Sequence, residues 1–168
     1  MNPALSELPP FQAAVQPEWI DYNGHMRDAY YGLVLSYAMD DMMDRVGLDA
    51  PYRERTQCTL YTIEVHVHYL REVKITDSLV IHTAILDADR KRVHVGCRFT
   101  CARLTAATPV ATAEAMMVHV HQGAEPMSAP FPPDIAERLQ ALRQDDTARA
   151  AAHAAFGPSS RKIELKRR

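Results

Sequence analysis

Within ten residues the chain sets two carboxylates, an imidazole and an Asn-Gly turn signal: Trp19-Ile20-Asp21-Tyr22-Asn23-Gly24-His25-Met26-Arg27-Asp28. An apolar period of helical spacing begins directly afterwards, which puts this segment at a helix start. Free backbone N–H groups and the helix dipole favour negative charge there. A carbonyl oxygen held at residues 27–29 would be stabilised as an oxyanion, and a carboxylate beside it would act as nucleophile or general base. The same residues also suit plain capping, with Asp28 or Asn23 as N-cap and His25 as a satisfied loop residue. Spacing alone leaves both readings open.

A second group lies on one stretch of alternating residues. Tyr61, Ile63, Val65, Val67 and Tyr69 point one way, and Thr62, Glu64, His66 and His68 point the other, as in a strand with one polar face. A similar i, i+2 pair, His119 and His121, follows later. Two such pairs can assemble a zinc or iron site, but no Cys or carboxylate accompanies them at a ligand spacing. The polar-face reading is therefore favoured, and no metal or other cofactor is expected. Cys97 and Cys101 read as small apolar residues of a strand.

The elements that must position these residues follow from periodicity. A short strand is expected at 11–15. From 28 to 46 the residues Tyr31, Leu35, Met39, Met42 and Val46 recur at steps of three and four, one face of a helix, and Gly47 stops it. A loop is expected at 51–57. Strand patterns then cover 61–69, 78–86, 92–104 and 109–121, with turn signals at 87–89 and 106–109. Sequential strands with short links are antiparallel, which gives an α+β domain: a curved five-stranded antiparallel sheet against one long helix. A surface helix is expected at 133–143. The domain is placed at 1–145, and 146–168, Ala-rich and then basic, as a tail that is weakly helical or disordered.

Composition narrows the function classes. The chain has 168 residues, 47% of them hydrophobic, with 19 basic against 21 acidic side chains and net charge −2. A single core of this length needs no disulfide or metal to stabilise it. The charge offers no basic field for nucleic acid, and no apolar run approaches the ~20 residues of a membrane span. The N-terminal residues carry no secretory pattern and the cysteine count is odd, so a cytoplasmic location is expected.

Strand, turn, long helix and four strands, with Asp21-x-x-Gly24-His25-Met26 and Tyr31 ten residues beyond the Asp, resemble the hotdog-fold acyl-CoA thioesterases of the 4-hydroxybenzoyl-CoA thioesterase type over about residues 10–125. Within that family, Glu18-Trp19-Ile20-Asp21-Tyr22-Asn23-Gly24-His25-Met26, Thr62-Ile63-Glu64-Val65-His66 and Ala111-Thr112-Ala113-Glu114 are similar to the branch that hydrolyses betainyl-CoA in carnitine breakdown. The resemblance implies an acyl-CoA substrate, and a homodimer or tetramer in which two chains pair through the Glu64–His68 strand. Each of two interface sites would then combine the turn of one chain with its partner.

The resemblance further implies Asp21 as the catalytic carboxylate and the backbone N–H of Asp28 as the group that polarises the thioester carbonyl. His25 and Glu64 complete the catalytic set. Asn23, Gly24, Arg27 and His66 line the substrate. Trp19, Tyr22 and Tyr31, with Glu64 or Asp28, would suit a trimethylammonium group, because ring faces and carboxylates are what bind a cation that cannot be hydrogen-bonded. Tyr31 equally suits the core, since it lies on the apolar helix face. A hydratase or dehydratase on the same fold, and a non-enzymatic acyl-CoA-binding protein, are the alternatives. Release of free thiol separates hydrolysis from both.

Overall fold

The computed structural model describes residues 8–105 and 108–143. The expected domain end at 145 and the 146–168 tail lie outside the described residues. Strand β1 (Phe11–Ala14) leads through a 3₁₀ turn at Pro17–Trp19 to helix α1 (Asp28–Val46) and a second helix α2 (Ala50–Thr56). Strands β2 (Cys58–Tyr69), β3 (Ser78–Ala88), β4 (Arg92–Cys101), β5 (Ala111–His121) and β6 (Met127–Ser128) precede helix α3 (Pro133–Leu142). The sheet runs β1-β3-β4-β5-β2, antiparallel throughout, with β6 added beside β5.

Helix α1 starts and stops where its apolar stripe does. It buries Tyr31, Val34, Leu35, Ala38, Met39, Met42, Met43 and Val46. Gly47 ends it in the left-handed region at φ 91°, its N–H bonded to Asp44 and Met43 carbonyls. A side chain there would be strained and would also strike the Arg138 guanidinium, which donates to Val46 O at 3.1 Å. The stripe packs in one core with Leu79, Ile81, Ile85, Phe99, Ala111, Ala113, Ala115 and Met117 from the sheet. The α+β class and the single long helix agree with the sequence reading.

Four details correct it. The 51–57 segment is helix α2, capped by the Asp49 side chain accepting from Tyr52 N at 2.9 Å and led by a proline in its first turn. Only Tyr52 of its residues is buried, too little for a period to show. The sheet has a sixth strand, β6, two residues wedged between Pro126 and Pro130 and tied by Ala129 N to His119 O at 2.9 Å. Helix α3 is less a surface helix than a lid on the core, since Ile135, Leu139 and Leu142 are buried.

The fourth correction concerns β2. Its pairing with β5 slips between Thr62 and Glu64, leaving Ile63 outside the register. Thr62, Val65, Val67 and Tyr69 then stand opposite Met117, Ala115, Ala113 and Ala111, the residues that face α1. Tyr61 joins Glu64, His66 and His68 on the other face, because directly opposed residues share a face and a bulge inverts the alternation.

Met42 is fully enclosed at the middle of the stripe. Met42→Ala is expected to lower stability by ~2–5 kcal/mol with an unchanged urea m-value, because a buried cavity replaces the side chain. A loss under ~1 kcal/mol in urea titration would mean the stripe is not what seats the helix.

Candidate active site

The turn before α1 is closed by its own backbone. Asp21 N donates to His25 O at 2.8 Å, Gly24 N donates to Asp21 O at 3.0 Å, and Ile20 bridges Met26. Gly24 makes the reversal possible at φ 80°. The Asp21 carboxylate turns inward on this loop: its Oδ1 accepts from Asn23 N at 2.8 Å and His25 N at 3.1 Å. Its Oδ2 receives only a long 3.5 Å contact from Asn23 Nδ2 among the described residues. One oxygen is thus anchored and the other is available for chemistry.

These bonds, that from the His25 N–H foremost, hold the Asp21 carboxyl below its ordinary 3.8 against the opposing effect of desolvation. Asp21 is therefore a carboxylate at any working pH, fit to be a base or nucleophile and unfit to be an acid. Two further bonds fix the loop to the body of the protein. Met26 N donates to Val73 O at 2.8 Å, and Arg27 N donates to Trp19 O at 2.9 Å.

Capping by a side chain does not occur at the helix start. The N-cap is Arg27, which offers no side-chain acceptor, and Asp28 is the first helical residue, its Oδ1 accepting from Ala29 N at 2.9 Å. Among the described residues no acceptor engages the Asp28 N–H. Neither Asn23 nor Asp28 is the N-cap, so the capping account of this segment fails while the anion-stabilising one keeps its donor.

The predicted aromatic residues separate. Tyr31 is in the core, edge-on to Tyr69 at 5.1 Å and near Phe99, with its hydroxyl pushed up to about 12 mainly by burial. Tyr69 Oη reaches Asp28 O at 3.4 Å, joining the end of β2 to the helix start. Tyr22 is 93% exposed at the tip of the turn. Trp19 is buried and stacks at 5.6 Å on Tyr30, a residue the sequence reading passed over. Tyr30, Leu33 and Tyr37 follow a second helical stripe beside the core one, and with Trp19 and Glu18 they line a cleft of about 560 Å³. The i, i+3, i+7 spacing was visible, but it flanks the stripe that dominates the pattern.

Glu64 and His66 pair with each other at 3.1 Å on the outer face of β2, and no contact joins them to the turn within one chain. The His25 ring instead meets Glu72 Oε2 through Nε2 at 3.1 Å, a residue of the β2–β3 connection that carried no sequence signal. A cleft of about 630 Å³ runs between α1 and β2, lined by Leu35, Met39, Met43, Thr62 and Val65 with Asp40 at its side.

The histidine pairs do not converge. His119 faces the core and is bonded to Tyr52 Oη at 2.8 Å and Ala129 O at 3.0 Å, and burial lowers its pKa. His66 pairs five strand positions away, on the other face. Among the described residues no group of three or more His, Cys, Asp or Glu is placed to hold a metal ion. Cys97, fully buried, has its thiol pushed up to about 12 by burial, the state of an inert core residue. No helix of the described residues is long and apolar enough to cross a membrane.

An antiparallel sheet curled around one long helix is the hotdog fold of the thioesterase class. The family model for the thioesterase-like superfamily matches residues 15–139, and the chain belongs to that superfamily. It is 39% identical to the betainyl-CoA thioesterase of Pseudomonas aeruginosa over 82% of this chain and 84% of that protein. It is 36% identical to an L-carnitine dehydrogenase/betainyl-CoA thioesterase of Agrobacterium fabrum, covering 92% of this chain but only 31% of that longer protein. Among solved structures it is similar to a putative thioesterase of Pseudomonas putida, at 37% identity and TM-score 0.70, covering 96% of this chain and 98% of that one. A Staphylococcus aureus protein of hypothetical function, solved in complex with CoA, superposes with TM-score 0.74 at 26% identity over 99% of this chain and 100% of that one.

A ¹³C titration of the Asp21 carboxyl is expected to give a midpoint below 3.8. The sign is that of a depressed acid, so any rate limb that Asp21 contributes lies on the acid side below that value. A midpoint at or above 3.8 would show that the backbone bonds do not hold the charge.

Proposed function

We propose that the protein hydrolyses a short-chain acyl-CoA thioester to the free acid and CoA, and that its substrate is betainyl-CoA, which yields glycine betaine. The observation that carries the reaction is the Asp21 carboxylate, anchored by one oxygen and open at the other, beside the unengaged Asp28 N–H. The thioester carbonyl oxygen takes the Asp28 N–H as its charge develops, and the helix dipole adds to that field. Asp21 either draws a proton from an attacking water or attacks the carbonyl carbon itself. By the first route a C–O bond to water forms, the C–S bond breaks, and the CoA thiolate leaves and takes the proton; by the second the acyl group passes to Asp21 as a mixed anhydride with loss of the thiolate, and water then cleaves that anhydride to the free acid and restores the carboxylate. His25 stands one bond from Asp21 and serves proton movement at the same centre.

The P. aeruginosa relative supports the acyl group, and the residues around the turn suit it. Tyr22, exposed at the tip of the turn, offers a ring face, and Asp28 a carboxylate, to a trimethylammonium carried two atoms from the reacting carbonyl. Lys91, Arg92, Arg98 and Arg103 lie near strand ends where cations suit the CoA phosphates, and of these Arg92 and Arg103 are paired with Asp89 and Asp77. Two chains pair through β2, an edge strand whose Tyr61, Ile63, Val65 and Tyr69 are exposed in a single chain. That pairing carries Glu64 and His66 of the partner subunit toward the turn. The location is cytoplasmic, where CoA esters are made and used.

Two measurements test this reading. Asp21→Asn is expected to lower kcat by at least ~10²-fold with the fold intact by circular dichroism, and near-normal turnover would remove Asp21 from the mechanism. In a thiol-release assay, kcat/KM for betainyl-CoA is expected to exceed that for the neutral, near-isosteric 3,3-dimethylbutanoyl-CoA by at least ~10-fold, and Tyr22→Ala to erase most of that difference. A better rate on the neutral ester leaves a thioesterase with another substrate.

A further inference from the structure

Outside the Asp21 turn, the β2–β3 connection makes a second, unassigned contact with the site. Its backbone is held rigidly. The Arg103 guanidinium donates to both oxygens of Asp77, at 2.9 and 3.0 Å, and to the carbonyl of Glu72 at 3.0 Å. Asp77 Oδ2 in turn accepts from Lys74 N at 2.9 Å. The Asp77 side chain is almost wholly buried, and Arg103 holds its carboxyl below the ordinary range. Val73, next to Glu72, is buried and accepts the Met26 N–H at 2.8 Å. Two consecutive residues of the connection thus meet two consecutive residues of the turn: Val73 with Met26 through backbone, Glu72 with His25 through side chains.

We propose that Glu72 is a positioning residue for His25, fixing which ring nitrogen carries the proton. Glu72 Oε2 lies 3.1 Å from His25 Nε2, and a carboxylate oxygen at that distance from a ring nitrogen favours the proton on that nitrogen, because two lone pairs would otherwise face each other. In the neutral ring Nδ1 is then the lone-pair nitrogen, the form able to take a proton during hydrolysis. His25 is itself bonded through both backbone groups to Asp21, so the ring that Glu72 orients sits on the residue that anchors the reactive carboxylate. The Glu72 side chain is 63% exposed, and an exposed pair of this kind contributes little to stability. Its use lies in direction. This inference rests on the proposed part of His25 in hydrolysis.

The experiment has a kinetic and a spectroscopic arm, run on the acyl-CoA that the wild-type protein hydrolyses fastest. Glu72→Ala is expected to lower kcat by about 10-fold or more with KM and melting temperature little changed, as loss of a partner behind a reacting group does. In a His25→Ala background the same change should alter kcat by less than about 2-fold, because the two residues act as one unit. Long-range ¹H–¹⁵N spectra of the histidine rings should show His25 as the Nε2–H tautomer in the wild type and a mixture in Glu72→Ala. Multiplicative effects in the double variant, or an unchanged tautomer, would overturn the proposal while leaving the thioesterase reading intact. A His25→Ala protein of full activity would overturn both Glu72's role and that of His25, and absence of hydrolysis on every acyl-CoA would mark failure of the functional reading itself.

Discussion

The apolar stripe of α1 can be buried only if the sheet curls around it, and that burial decides where the helix begins. Six buried Val, Leu and Met side chains at roughly 1.5–3 kcal/mol each outweigh by an order of magnitude the ~1 kcal/mol that a good N-cap contributes. The helix therefore tolerates Arg27 at its N-cap, a residue with no side-chain acceptor to give. Packing supplies the stability that capping withholds, and the uncapped Asp28 N–H stays available at the point where a substrate oxygen would need it.

The same economy holds for the carboxylate. A carboxylate in a tight turn beside a helix start would cost desolvation if left alone. Asp21 is stabilised by two backbone N–H groups of its own loop, which consume one oxygen and lower its pKa. The arrangement makes Asp21 a weaker base than a free carboxylate, so the part proposed for it in hydrolysis would have to come from placement. Placement in turn depends on the bond from Met26 to Val73, which ties the segment to the distant β2–β3 connection, and on that from Arg27 to Trp19, which closes the segment on itself.

How much of this is written in the sequence depends on the length of each pattern. The helix at 28–46 has five turns of consistent period and its limits were legible to the residue, as was the Asp21–Asp28 segment as a unit. The bulge at Ile63 was not, because Tyr61, Ile63, Val65, Val67 and Tyr69 alternate without fault and only the partner strand reveals the slip. Helix α2 and strand β6 are too short to repeat. Tyr30 and Tyr31 are adjacent and chemically alike, and only the rotation of the helix sends one to Trp19 and the other to Phe99. Glu72 is one of many surface carboxylates, distinguished solely by a contact across 47 residues of chain.

The bulge also bears on the edge of the sheet. Without it, Glu64, His66 and His68 would share their face with Thr62, and Tyr61 would point into the core beside Val65. With it, β2 presents Tyr61 and the Glu64–His66 pair on one face and turns Val65, Val67 and Tyr69 to the α1 side on the other, with Ile63 left outside both sets. An edge strand built this way is not a flat hydrophobic ribbon open to any partner. The local twist and the Glu64 carboxylate restrict which strand can pair with it. The interruption that defeats a simple reading of the sequence is therefore also what makes this edge selective.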